Sequence, residues 1–86
     1  GLGYGRAALR VAKKMAFDDL GAHRFWLDVK ERNQRAQALY QSEGYVLEGR
    51  LRDAVRIQGG HDSLIVLSML AHEFAARRSQ ALELQP

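Results

Sequence analysis

The stretch Leu64-Ile-Val-Leu-Ser-Met-Leu70 is apolar on both faces of an extended chain. A strand with no wet side belongs in the middle of a sheet, with a neighbour at each edge. Gln58-Gly59-Gly60 stands just before it and makes a tight turn. Upstream of the turn, residues 45–57 alternate, with Tyr45, Leu47, Leu51, Val55 and Ile57 facing one way and Glu48, Arg50, Arg52 and Arg56 the other. That pattern predicts a long strand with one wet face and a bulge at Gly49. A hairpin ending in a central strand is the frame into which the rest must fit.

The remaining elements are read from periodicity. Residues 24–29 are rich in aromatic and branched side chains and predict a strand, with Phe25, Leu27 and Val29 on one face and Trp26 assigned to the core. Asn33 is a good N-cap for a short helix bearing Ala36, Leu39 and Tyr40 on one side and closed by Gly44. From Arg6 to Leu20, the residues Ala8, Leu9, Ala12, Met15, Ala16 and Leu20 recur at steps of three and four, which predicts an amphipathic helix stopped by Gly21. Arg10, Lys13, Lys14 and Asp18 fall on its polar side. The tail from Ala71 supports a helical turn or two and then frays. A right-handed crossover makes strands 24–29 and 45–57 parallel, and the hairpin makes the last strand antiparallel to its predecessor. The expected fold is α/β, with the order helix, strand, helix, strand, strand and a three-stranded mixed sheet whose last strand is central.

Eighty-six residues make one domain and exclude a second. The absence of cysteine excludes disulfides, thiolate metal sites and a cysteine nucleophile, and it points to a cytoplasmic location. No apolar run approaches the roughly 20 residues of a membrane helix, so no membrane partner is expected. A net charge of +3 is too mild to argue for direct nucleic-acid binding. The missing initiator methionine and glycine-rich start predict a chain cut from something longer.

Gly1-Leu-Gly3-Tyr-Gly5 runs straight into the first helix. Its backbone N–H groups, and those of the first helical turn, lack intrahelical partners and suit an anion such as a phosphate. A plain flexible N-terminus is the bland alternative. Two phosphate ligands compete. Gly3-Tyr-Gly5-Arg-Ala-Ala8, with Asp28 twenty residues on, satisfies a relaxed dinucleotide fingerprint. Against it, such a fold should continue through further parallel strand-helix units, whereas this chain turns into a hairpin.

The segments taken together point elsewhere. Gly1-Leu-Gly-Tyr-Gly-Arg-Ala-Ala-Leu9, Ala16-Phe17-x-x-Leu20-Gly-x-His23-Arg24, Asn33-x-x-Ala36-x-x-Leu39-Tyr40-x-x-x-Gly44-Tyr45-x-x-Glu48-Gly49-x-Leu51-Arg52 and Gly60-x-Asp62 resemble the C-terminal half of the GNAT family of acyl-CoA N-acyltransferases. Within it, the likeness is to the branch that acetylates protein N-termini, including those of ribosomal proteins.

The resemblance implies acetyl-CoA as cosubstrate and a primary amine as acceptor, such as a protein N-terminus; the spacing of the histidines predicts no metal. It places Leu2, Gly3, Tyr4, Gly5, Arg6 and Ala7 around the pyrophosphate, with Gly3 and Gly5 matching two places of the family's phosphate loop. It places Asn33 and Ala36 along the pantetheine arm and Tyr40 near the sulfur as the catalytic acid. A phenol there can protonate or stabilise the departing thiolate as the tetrahedral intermediate collapses. The family's general base and most of its acceptor pocket come from preceding strands. The chain alone is therefore expected to bind CoA weakly at best, with an open edge at residues 24–29 available for a homodimer or other edge pairing.

Other constellations are weaker. His23, His61 and His72 lack paired metal-ligand spacing. His61 and Asp62 are strand neighbours that point to opposite faces. Ser63 and Ser68 lack a nucleophile-elbow context. Arg50, Arg52 and Arg56 read as a solvated sheet face, with an acidic acceptor peptide or an rRNA-bearing substrate as the alternative.

Overall fold

A computed structural model describes residues 5–83. Helix α1 spans Arg6–Lys14 and passes directly into a π-helical turn, Met15–Asp19. After it come strand β1 (Arg24–Lys30), helix α2 (Gln34–Ser42), strands β2 (Val46–Ile57) and β3 (Gly60–Leu70), and helix α3 (Ala71–Glu83). The sheet order is β1-β3-β2, so the doubly apolar strand is central as its composition requires.

Both ladders are antiparallel, with Leu27 opposite Leu67 on one side of β3 and Leu47 opposite Leu67 on the other. The outer strands β1 and β2 therefore share a direction, as the crossover requires, but never pair with each other, so the sheet is antiparallel throughout rather than mixed. Adjacent parallel strands, the foundation of a dinucleotide fold, do not occur in this sheet.

The core lies on one face, where Leu27, Val29, Ile65, Leu67 and Met69 of the sheet meet Leu9 of α1, Tyr40 of α2 and Tyr45. Phe25 and Tyr45 meet edge to face at 5.7 Å, and Phe17 stacks on Phe74 of α3 at 4.9 Å. Trp26 is not a core residue. It stands opposite Ser68, which stands opposite Val46, and this second face leaves Trp26 56% and Val46 51% exposed.

Three other expectations are corrected. The helix over 6–20 is not one regular cylinder. Leu20 N–H bonds to Met15 O and Ala22 N–H to Ala16 O. This wider turn changes the facing of the residues after Lys14, so that Phe17 packs inward while Met15 and Leu20 are exposed. Lys13, placed on the polar side by its spacing, is buried. The tail is a continuous helix of 13 residues rather than a turn or two, and the Glu73 carboxylate accepts the backbone N–H of Leu70 at its start.

The bulge in β2 falls where Gly49 suggested, with the register shifting between Leu47 and Gly49. One extra residue exchanges the two faces of a strand. Beyond it Arg50 stands opposite core residue Ile65, while Leu51 stands opposite Leu64 on the outer face and is 52% exposed. The alternation predicted for residues 45–57 therefore continues past the bulge with its faces exchanged, and the register shifts again between Leu51 and Val55.

Candidate functional site

The first turn of α1 has no side-chain cap and no acidic residue. Its earliest internal bond is Leu9 N–H to Gly5 O at 2.9 Å, which leaves the N–H groups of Arg6, Ala7 and Ala8 without intrahelical acceptors. Gly5 has an ordinary φ of −70°, so its conformation does not demand glycine. A Cβ there would meet nothing within 4 Å among the described residues. An anion fits this position, drawn by free amides and the positive end of the helix dipole.

The start of α1 borders an open groove of about 660 Å³, walled by Gly5 and Arg6 on one side and by Asn33, which precedes α2, with Ala36, Leu39 and Ser42 of α2 on the other. Asn33 caps α2, its Oδ1 accepting Ala36 N–H at 3.1 Å. A short polar side chain before the helix favours this cap. Asn33 and Ala36 thus lie together on the groove with Gly5 and Arg6. Leu2, Gly3 and Tyr4 lie outside the described residues. Ala7 is exposed on the first turn.

Tyr40 is placed differently. It stands one helical turn beyond Ala36 on the same side of α2, where the helix meets the sheet. It is 2% exposed, with its ring 6.2 Å from that of Tyr45. The groove-facing residues and Tyr40 therefore share one helix but occupy different depths.

Glu43 was not among the residues singled out by sequence. It stands just after the last residue of α2 and is 2% exposed. Arg6 Nη1 donates to its Oε2 at 2.5 Å. Arg10 donates through Nε at 2.9 Å and Nη2 at 3.1 Å. Lys13 Nζ lies 3.3 Å from Oε1 and donates to the Glu43 carbonyl at 3.1 Å. Arg10 first, then Arg6 and Lys13, hold the carboxyl down to about 2 against the opposing effect of burial. Burial in turn pushes the Lys13 ammonium below its ordinary range, with Glu43 pulling it back. The available signal was the spacing of Arg6, Arg10 and Lys13, which sets three cations on one stripe of α1. Arg6 also donates to Ser42 Oγ at 3.2 Å, so it is already tied to α2 where the groove begins.

Asp28 is exposed on β1. Asp62 accepts from Arg32 Nε at 3.1 Å and from Ser63 N–H at 2.8 Å, and Arg50 donates to Glu31 at 2.5 and 3.2 Å. Among the described residues, no group of three His, Asp or Glu side chains is arranged to hold a metal ion, and no helix is long and apolar enough to cross a membrane.

Comparison with known proteins adds an independent line. Residues 1–45 match the model of a family described as Acetyltransferase (GNAT) family. The chain is 28% identical over 78 residues to "Putative ribosomal N-acetyltransferase YdaF" of Bacillus subtilis (strain 168), a match spanning 91% of this chain and 43% of that protein. The spermidine/spermine N-acetyltransferase SpeG from Vibrio cholerae, solved in complex with manganese ions, superposes with a TM-score of 0.82 at 28% identity, over 90% of this chain and 45% of that one. A structure described as "Probable acetyltransferase" superposes with a TM-score of 0.75 at 29% identity, over 79% of this chain and 38% of that one. The chain thus spans less than half the length of each of these proteins.

Proposed function

The chain belongs to the GNAT acetyltransferase family, and from that premise we propose that it holds the acetyl-CoA side of an N-acetyltransferase that moves acetyl from the thioester to a primary amine. The uncapped first turn of α1, opening on a groove walled by Asn33 and Ala36, is the observation that supports this reading. The amides of the first turn meet the coenzyme's diphosphate and α2 lies along its pantetheine arm. The amine nitrogen adds to the thioester carbonyl, the tetrahedral intermediate expels the CoA thiolate, and the nitrogen gives up a proton as the amide forms. Tyr40 is the proposed donor to the thiolate. The reading requires the thiol end to enter between α2 and the sheet, where the phenol lies.

For the acceptor we propose a protein N-terminus, on the likeness to the B. subtilis protein. The V. cholerae structures favour a second reading, a polyamine.

Calorimetric titration of the native protein with CoA and with NAD tests the coenzyme. Saturable CoA binding with no comparable NAD binding is expected, and a flat CoA titration sinks the proposal. Acetyl-transfer assays with an N-terminal peptide and with spermidine then separate the acceptors. Tyr40→Phe is expected to lower kcat by about a hundredfold, the low end for a general acid, while leaving CoA affinity in place. Unchanged turnover would reduce Tyr40 to a core residue.

A further inference from the structure

Glu43 occupies a position that charge alone disfavours, because the last carbonyls of α2 already make that helix end negative. One buried carboxylate needs one cation to balance it, and three converge on it. Arg10 grips it in two-pronged fashion, and the buried ammonium of Lys13 binds both its carboxylate and its backbone carbonyl. Those two contacts neutralise Glu43 and dock the middle of α1 on the end of α2. The contact with Arg6 is surplus to that requirement. Arg6 differs from the other two in place: it is the first residue of α1, its side chain is 49% exposed, and it forms part of the groove wall. Its Nη1 is shared between Glu43 Oε2 and Ser42 Oγ, which holds an otherwise flexible side chain in one orientation where the groove meets α2.

We propose that Glu43 is a positioning residue for the coenzyme groove, one that fixes the first turn of α1 and the guanidinium of Arg6 against α2 so that both meet the diphosphate. This assignment rests on the reading of the groove as the CoA site. It has a sign that simple electrostatics does not share. Removing a carboxylate leaves the groove more positive, which by itself draws an anionic coenzyme in more strongly. Loss of positioning weakens binding instead.

The test is a binding cycle on the native protein with CoA as the probe, using Glu43→Gln, Arg6→Ala and the double variant, each with its melting temperature measured alongside. Glu43→Gln is expected to weaken CoA binding about tenfold, and the double variant to bind no more weakly than the poorer single, because the two act through one guanidinium. Pantetheine, which lacks the diphosphate, is expected to bind Glu43→Gln as it binds the unaltered protein, whereas general loosening would weaken both probes alike. Should Glu43→Gln not fold, Glu43→Asp, which keeps the charge but withdraws it by one methylene, takes its place in the same cycle. CoA binding that is unchanged or tighter, or effects that add in full, overturns the role of Glu43 and leaves the coenzyme site standing. Failure of the unaltered protein to bind CoA overturns both.

Discussion

A carboxylate held near 2 when folded, against 4.5 for an ordinary glutamate, couples stability to pH in a definite direction. The folded value lies below the unfolded one, so the stabilising contribution of Glu43 is fully present above pH ~4.5 and is lost as pH falls toward about 2. A depression of this size corresponds to a contribution on the order of 3 kcal/mol. The melting temperature of the unaltered protein should therefore fall more steeply across that window than that of Glu43→Gln, and equal slopes in acid would refute the linkage. The same residue marks how far sequence reasoning reaches. Asn33 declared itself because a cap is local, three residues from the amide it accepts. Glu43 did not, because its partners lie 30 to 37 positions away on another helix and nothing local says that a surface-looking glutamate will be covered.

Single elements repeat that contrast. Helix α2 begins where its polar cap predicts and ends at Ser42, two residues before Gly44, whose φ of 95° favours glycine and whose missing Cβ leaves room for Arg77 of α3. Replacing Asn33 by alanine should cost about 1 kcal/mol of stability, read from the urea midpoint, while Asn33→Asp keeps the cap and most of that stability. If aspartate costs as much as alanine, the cap is not what Asn33 contributes. The π-turn at the end of α1 and the bulge in β2 were only half legible. Gly49 flagged the bulge, but the consequence, an exchange of faces that puts Leu51 outward and Arg50 opposite Ile65, depends on which residues of β3 lie across from it. An insertion of one residue leaves composition untouched and reverses orientation.

At the scale of the whole molecule, helices and core occupy one face of the sheet, and the other face exposes Trp26, Val46 and Leu51. The radius of gyration, 14.5 Å, exceeds the ~12 Å of a compact domain of this length, in keeping with a sheet packed on one side. In the isolated chain, acrylamide should therefore quench the fluorescence of Trp26, the single tryptophan, nearly as well folded as unfolded. Strong shielding in the folded state would mean that this face is covered. The assignment of Trp26 to the core rested on its chemistry, and burial depends on whether anything packs over it. What the sequence determined by itself was the order of elements, the central place of the doubly apolar strand, the α2 cap and the family, because each rests on short-range pattern and spacing. Tertiary structure alone decided which face each residue met, that Lys13 and Glu43 would be buried together, and that Tyr40 would lie deeper than Asn33. Those outcomes depend on contacts between segments distant in the chain, whose free energies are set by packing and desolvation rather than by local preference.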